Sequence, residues 1–297
     1  MDLKAVPEYT PRQRSHGARG TGDGGKRVDM ENRPLTIIYD QHEGETLPCH
    51  FRVCGRPYAR EIPSPPSRRG LDQLLVSGSE QPSVGDIEND IRPLAAKVVL
   101  VDLRQESHGF VGDIPVSWYG PKNWANLGLD AAAAMRDEAA RLAALQGKTV
   151  PVVRAVTKDE DGLIATSRTD FIEVRSVATE SEAAARSGLD YERFAVSDHR
   201  APSEEEASRF VTFFDSQPAG TWFHIHCHGG EGRTTTFMLL CDILRNGREL
   251  SLEDLVLRQY LVGGVDLFNH PAEGYKGPWY KKRAEFIRAF YAKYAGR

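Results

Sequence analysis

Cys227 and Arg233 stand five residues apart in His226-Cys227-His228-Gly229-Gly230-Glu231-Gly232-Arg233-Thr234, and three of the five intervening residues are glycine. Glycines let backbone N–H groups converge on an anion, and a helix starting after them adds the positive end of its dipole. The same dipoles favour the thiolate of Cys227, the form that acts as nucleophile. Arg233 supplies a planar, two-pronged donor suited to phosphate oxygens. Thr234 can give its hydroxyl to the sulfur and stabilise it as a leaving group. His228, Gly229, Gly230, Glu231 and Gly232 would wrap the bound anion. A phosphoenzyme route also needs a proton donor for the departing oxygen. Asp198, at the end of an apolar run of its own, is the candidate, and His199 beside it can orient the acid or touch phosphate. The competing reading is a buried strand-end cysteine beside a structural arginine, but an inert cysteine requires neither the glycines nor the arginine.

These groups need a rigid frame. Thr221-Trp222-Phe223-His224-Ile225 is apolar and β-prone, so it reads as a buried strand before the loop. A helix should follow from Thr234 through Phe237, Met238, Leu240 and Leu244, stopping at Asn246-Gly247. Lys97 to Arg104 reads as a second buried strand, parallel to the first, and Tyr191 to Val196 as a third. Ser203 with Glu206, and Ser251 with Asp254, look like helix caps. Asp130 caps an alanine-rich helix that ends at Gly147, and a last helix is expected over about 279–294. Gly70 to Ser79 suggests a short helix ending at Gly78, and Gln105 to Asn126 a long functional loop. Residues 148–180 change to β-pattern around the turn Asp159-Glu160-Asp161-Gly162, as an antiparallel β-subdomain that also recruits part of 35–50. Strands alternating with helices argue for an α/β sheet covered on both faces.

The chain has 297 residues and a net charge of −4, so attraction for a polyanion must be local. Four cysteines form neither a disulfide framework nor a zinc spacing. His224, His226 and His228 alternate, but His228 is already in the loop and no carboxylate companion is evident, so no metal is expected; His226 is expected to bond backbone groups and hold the loop. Lys281-Lys282-Arg283 reads as a solvated helix face, with a substrate role as the alternative. No apolar run reaches the roughly 18 residues a membrane span needs, and no signal-peptide pattern is present. A reducing compartment suits a catalytic thiolate. Residues 1–33 are rich in glycine and basic residues and poor in apolar ones, which predicts a disordered tail ahead of one domain over 34–297.

Cys227 to Arg233 resembles the C-x5-R signature of the protein tyrosine phosphatase (PTP) superfamily, which works through a cysteinyl-phosphate intermediate. Further segments are more specific. Tyr191-x-Arg193 leading to Asp198-His199-x-x-Pro202, Val101 to Phe110 continuing into Ile114 to Tyr119, Trp124-Ala125-Asn126 and Phe51-Arg52 together resemble the PTP-like phytases, also called cysteine phytases, from about residue 35 onward. The resemblance implies a PTP-like fold: a central mixed, mainly parallel sheet flanked by helices, with a small antiparallel β-subdomain. It implies hydrolysis of myo-inositol hexakisphosphate and lower inositol phosphates without metal or other cofactor. By the resemblance, Cys227 is the nucleophile, Arg233 the phosphate clamp, Asp198 the general acid and His199 a substrate contact. Arg52 and Lys276 would meet peripheral phosphates, and Asn123 stands at a loop position that touches substrate when acidic. Glu231 is a departure: a carboxylate at the pocket mouth would repel a polyanion and shift preference toward fewer phosphates. Two other classes stay open, a protein tyrosine or dual-specificity phosphatase and a non-catalytic phosphate-binding module, although a binder has no need of the acid. The expected partner is a small polyphosphate, with neither nucleic acid nor membrane; oligomeric state is left open. The expected location is cytoplasmic, or exported without a cleaved signal, with the basic tail as the translocation segment of a bacterial effector.

Overall fold

The apolar runs flanking the cysteine loop fold as neighbouring parallel strands, because residues apolar at consecutive positions must be covered on both faces. The computed structural model describes residues 35–41, 46–271 and 273–296. The tail expected over 1–33 lies outside them. In chain order the strands are β1 (Thr36–Tyr39), β2 (Arg52–Val53), β3 (Val76–Ser79), β4 (Val98–Arg104), β5 (His108–Val111), β6 (Ile114–Tyr119), β7 (Thr149–Lys158), β8 (Ile164–Glu173), β9 (Val177–Ala178), β10 (Asp190–Val196) and β11 (Trp222–His226). The helices are α1 (Val84–Asp86), α2 (Ala131–Leu145), α3 (Glu180–Arg186), α4 (Glu204–Ser216), α5 (Gly232–Asn246), α6 (Leu252–Leu261) and α7 (Gly277–Tyr294).

One sheet runs β10-β4-β11-β3-β2 and is parallel except for β2. His226, the last residue of β11, pairs with Ser79 of β3 and Asp102 of β4. The carboxyl ends of β3, β4, β10 and β11 therefore share one edge, and the loops leaving them meet there. Open α/β sheets bind their ligands at such an edge. Period-two alternation along β4 divides its side chains between two cores. Val99, Val101 and Leu103 pack with Phe210, Phe237 and Ile287 on the side of α4, α5 and α7. Val98 and Leu100 pack with Ile87, Ile91 and Ala184 on the other side. In α4 the buried residues Ala207, Phe210, Val211 and Phe214 form one helical stripe. Its Ser203 cap accepts from Glu206 N, but the Glu206 carboxylate turns to Arg209 instead of closing a capping box.

Two expectations are corrected. The segment expected as a short helix ending at Gly78 holds β3 instead. A Cβ at position 78 would lie 2.6 Å from Thr234 Cγ2 and 2.7 Å from Met238 Sδ, so glycine there lets α5 lie directly on the strand. The long loop expected over 105–126 is mostly the β5–β6 hairpin, turned at Gly112-Asp113 with Gly112 at φ +60. A glycine with positive φ beginning a two-residue link is a hairpin signal. These strands join a second sheet, β8-β7-β1-β6-β5-β9, antiparallel except where β1 meets β7. Its core sets Val116, Trp118, Val150 and Val152 against Leu142 and Leu145 of α2.

Candidate active site

β11 carries Cys227 to the shared edge, and the loop after it turns beneath α5. The cysteine is almost enclosed, 3 % exposed. Thr234 Oγ1 donates to Cys227 Sγ over 3.2 Å, so the hydroxyl stabilises sulfur charge. Gly230 adopts φ +67, and a Cβ there would fall 2.4 Å from Glu80 N. Only glycine lets the loop lean on the end of β3 this closely.

Arg233 is buried and held from behind. Its Nη1 donates to Glu106 Oε2 (2.8 Å) and its Nη2 to Glu106 Oε1 (2.9 Å). Nη1 also donates to Val196 O, and Nη2 lies 3.2 Å from Asp198 Oδ1. The buried Nε has no hydrogen-bond partner among the described residues. Burial would raise the Glu106 carboxyl, but Arg233 and Arg104 outweigh it and bring its pKa down to about 2. Arg104 Nε in turn bonds Glu106 Oε1, and its Nη1 bonds Asp40 Oδ2. Asp40 Oδ1 lies 3.2 Å from His228 Nε2. A chain of buried charges from Glu106 to Asp40, with His228 beside its end, thus sets both the arginine and one side of the loop.

Asp198 lies against the arginine in the same cavity. Burial would raise its carboxyl, but Arg233, with His199, His228 and Lys158, holds it well below the usual carboxylate range. Its carboxylate accepts from Asn123 Nδ2 at 3.0 Å and from His199 N at 2.9 Å. Trp124 Nε1 donates to its carbonyl at 2.9 Å. His199 takes φ +66. Burial, against the pull of Asp198, lowers the His199 imidazole to about 4, so the ring is neutral near pH 7. Its Nε2 lies 3.3 Å from the Tyr275 hydroxyl.

Cys227, Arg233, Asp198, His199, His228, Gly229, Glu231, Gly232 and Lys276 line one cavity of about 140 Å³. Gly230, in the loop, and Thr234, in the first turn of α5, do not line the cavity. Two expected contacts are placed elsewhere. Arg52 is buried under the loop, where Nη1 donates to Gly230 O (2.8 Å) and Nη2 to Thr235 Oγ1 (3.1 Å). It lies in the short strand β2, which tucks its side chain beneath the loop instead of toward the rim. Asn123 is buried as well, and its amide spans Glu106 Oε1 and Asp198 Oδ2. An acidic residue there would repel both carboxylates; the amide ties them together.

Two lining residues escaped the sequence reading, Lys158 and Tyr280; a third, Arg283, belongs to the basic cluster read mainly as a solvated face. Lys158 ends β7 in the second sheet, far from the loop in sequence. Burial lowers its ammonium from the ordinary lysine range. Arg283 is 1 % exposed, so the basic cluster at 281–283 is not a uniformly solvated face. The signal was available, since 283, 287 and 290 make one helical stripe with Ile287 and Phe290. Burial lowers the Arg283 guanidinium to about 10.

The alternating histidines diverge. His224 sits between Ser77 Oγ (2.9 Å) and Ser79 Oγ (3.1 Å). His226 approaches a carboxylate, not backbone: its Nε2 is 3.0 Å from Glu180 Oε1. Among the described residues, Asp102, Glu180 and His226 have atoms close enough together to hold a metal. Two protein cations already occupy that space. His108 Nε2 is 2.9 Å from Glu180 and 3.3 Å from Asp102, and Arg193 Nε is 3.0 Å from Asp102. Burial would lower His108, but Asp102 outweighs it and raises its pKa to about 10. The cluster is an internal ion network beneath the loop.

Comparisons with known proteins agree with this geometry. A family model described as PTP-like phytase, inositol hexakisphosphate, matches residues 101–245. Effector protein hopD2 of Pseudomonas syringae pv. tomato is 31% identical over 229 residues, covering 75% of this chain and 48% of that protein. A PTP-like phytase structure from Bdellovibrio bacteriovorus superposes with TM-score 0.70 at 30% identity, covering 89% of this chain and 90% of that one. The PTP-like myo-inositol phosphatase of Mitsuokella multacida, solved with myo-inositol-(1,3,4,5)-tetrakisphosphate, superposes with TM-score 0.80 at 31% identity, over 91% of this chain and 47% of that one. This chain therefore spans about half the length of the P. syringae and M. multacida proteins.

Proposed function

The chain belongs to the PTP-like phytase family, and from that premise we propose that it hydrolyses inositol polyphosphates, including myo-inositol hexakisphosphate, through a cysteinyl-phosphate. One observation carries the reading. The thiol, the arginine fork and the acid share a cavity that also holds Lys158, Lys276 and Arg283. A phosphomonoester needs one clamp, whereas a polyphosphate needs counter-charges beyond it. The M. multacida relative, solved with an inositol tetrakisphosphate, supports that substrate class.

The chemistry follows from the placements. Arg233 and the loop amides take the non-bridging oxygens of one phosphate. The Cys227 thiolate attacks phosphorus, the ester P–O bond breaks, and Asp198 gives its proton to the departing alcohol oxygen. Water then gives a proton back to Asp198 and attacks phosphorus. The S–P bond breaks, and the sulfur leaves as a thiolate bonded by Thr234. Neutral His199 offers a hydrogen bond rather than a charge. Glu231, at the mouth with its side chain 61% exposed, opposes the most highly charged ligands and favours partly dephosphorylated ones.

The rim decides between a polyphosphate and a phosphotyrosine protein. Charge-assisted contacts contribute about 1.5–3 kcal/mol each. Lys158→Ala and Lys276→Ala are therefore expected to lower kcat/KM on the hexakisphosphate roughly 10–100-fold, and on an aryl monophosphate only a few-fold. High salt should weaken only the former reaction. Arg52→Ala serves as the contrast: it removes support beneath the loop, so both substrates should suffer alike and the melting temperature should fall. Equal losses at Lys158 and Lys276 on both esters, with faster turnover of a phosphotyrosine peptide, would overturn the polyphosphate reading. A chelator arm tests the proposal that turnover needs no metal.

Among the described residues no helix is long and apolar enough to cross a membrane. The P. syringae relative is called an effector, which supports reading this chain as an effector delivered into another cell. A translocation reporter fused to the chain should register inside the recipient; silence there, with the fusion stable in the producing cell, removes that part.

A further inference from the structure

The segment carrying Asp198 is gripped by side chains that do not themselves line the cavity. Arg200 lays its guanidinium against two indoles, with Cζ 4.7 Å from the ring centroid of Trp124 and 4.0 Å from that of Trp279. The indoles meet edge to face, with centroids 5.7 Å apart and planes at 88°. Arginine binds aromatic faces well because it is planar and weakly hydrated. Each indole is anchored to a different part of the site. Trp124 donates through Nε1 to Asp198 O, and Asn123 before it holds the Asp198 carboxylate. Trp279 lies in the first turn of α7, three residues beyond Lys276, and Arg283 of the same helix donates to Arg200 O over 3.4 Å.

Two features suggest that the grip serves the acid and not only the fold. Among the described residues, no carboxylate pairs with Arg200, and its buried Nε has no hydrogen-bond partner. Aromatic faces hold it instead. Lys122, Asn123 and His199, on the two segments that meet at Asp198, take φ of +60, +63 and +66. Non-glycine residues keep such conformations only where their surroundings over-determine them.

We propose that the Trp124–Arg200–Trp279 stack fixes the reach of Asp198, which makes Arg200 and Trp279 positioning residues for proton transfer to the leaving group. The inference rests on Asp198 being the general acid. Neither Arg200 nor Trp279 lines the cavity, so their loss should leave phosphate binding and nucleophilic attack in place.

The experiment compares phenyl phosphate, whose leaving group needs a proton, with 2,4-dinitrophenyl phosphate, whose leaving group does not. A general acid accounts for about 10²–10⁴-fold, so a misplaced one should forfeit roughly 10–100-fold. Arg200→Ala should lose that in kcat on phenyl phosphate, stay within about 3-fold on the dinitrophenyl ester, and keep KM within about 3-fold. The alkaline limb of its phenyl phosphate profile should flatten. Arg200→Lys keeps the charge but not the plane and should resemble Arg200→Ala. Trp279→Phe keeps an aromatic face and should recover most of the loss seen in Trp279→Ala. Melting curves and inorganic phosphate affinity establish that each variant is folded. Equal losses on both esters, full activity in Arg200→Ala, or full rescue by Arg200→Lys would each overturn the proposal. Asp198→Asn, run beside them, separates the two levels. If it shows no leaving-group dependence, the acid assignment fails; if it does and Arg200→Ala does not, only the stack fails.

Discussion

Replacing Cys227 by serine is expected to abolish phosphate release while leaving the cavity able to bind. The exchange removes almost no volume, and Arg233 stays anchored by both Glu106 oxygens. A serine hydroxyl ionises far above neutral pH, so it needs a base to become a nucleophile. Neither Thr234 nor Asp198 is free to be that base. Thr234 Oγ1 points its proton at the attacking atom, and Asp198 is required in its acid form for the leaving group. Loss of the nucleophile should therefore cost about 10⁴-fold or more in kcat. Acid-quenched reactions with labelled substrate should trap phosphate on the wild-type protein and none on Cys227→Ser. Calorimetry should still show hexakisphosphate binding. A variant keeping more than a few per cent of the wild-type rate would sink the covalent route.

The covalent half of the site is legible in the sequence because it is local. The nucleophile, glycines, arginine and threonine lie within one turn and the start of one helix, so spacing alone conveys their geometry. Asp198 is legible because a strand end at the shared edge can reach only that region. The supporting half is not legible, for a physical reason. Asp40, Arg104, Glu106 and Arg233 are all buried charges that satisfy one another across long stretches of chain. Hydrophobic periodicity assigns charged residues to the surface, so no pattern reveals four that compensate inside. Arg52 shows the same failure from the other direction. A basic residue in a phosphate-binding protein invites a rim role, but this one bonds the loop's own Gly230 carbonyl. Lys158 arrives from the second sheet, and only tertiary assembly brings it beside the cysteine. In the fold, strands with long apolar runs were readable. The β5–β6 hairpin and β3 were not, because each contains a glycine whose use is set by a turn or by a helix packed against it.

The pairing of Asp198 with Arg233 leads to the second large effect. In the free protein Arg233, against burial, holds the carboxyl well below the usual carboxylate range, so it is ionised near neutral pH. A depressed carboxylate contributes stability that is present above its unfolded pKa and lost as the pH falls through its folded one. Catalysis needs the opposite form. A phosphate bound at Arg233 takes up the guanidinium's charge and brings negative charge of its own, and both changes raise the Asp198 carboxyl. Substrate binding should therefore draw a proton onto Asp198. As pH rises that proton becomes harder to supply, so kcat/KM should fall on the alkaline side and the optimum should be acidic. Asp198→Asn removes both the proton donor and one of the two carboxylates paired with Arg233, leaving Glu106. We expect kcat to drop about 10²–10⁴-fold on inositol phosphates and far less on an activated aryl ester. We also expect inorganic phosphate to bind more tightly, because the Asp198 carboxylate at 3.2 Å no longer contests the fork. The alkaline limb should vanish with the carboxylate, and proton uptake on binding, measured by calorimetry in buffers of different ionisation enthalpy, should decline. If phosphate affinity is unchanged and uptake persists, Asp198 is not the group that answers to the charge on Arg233.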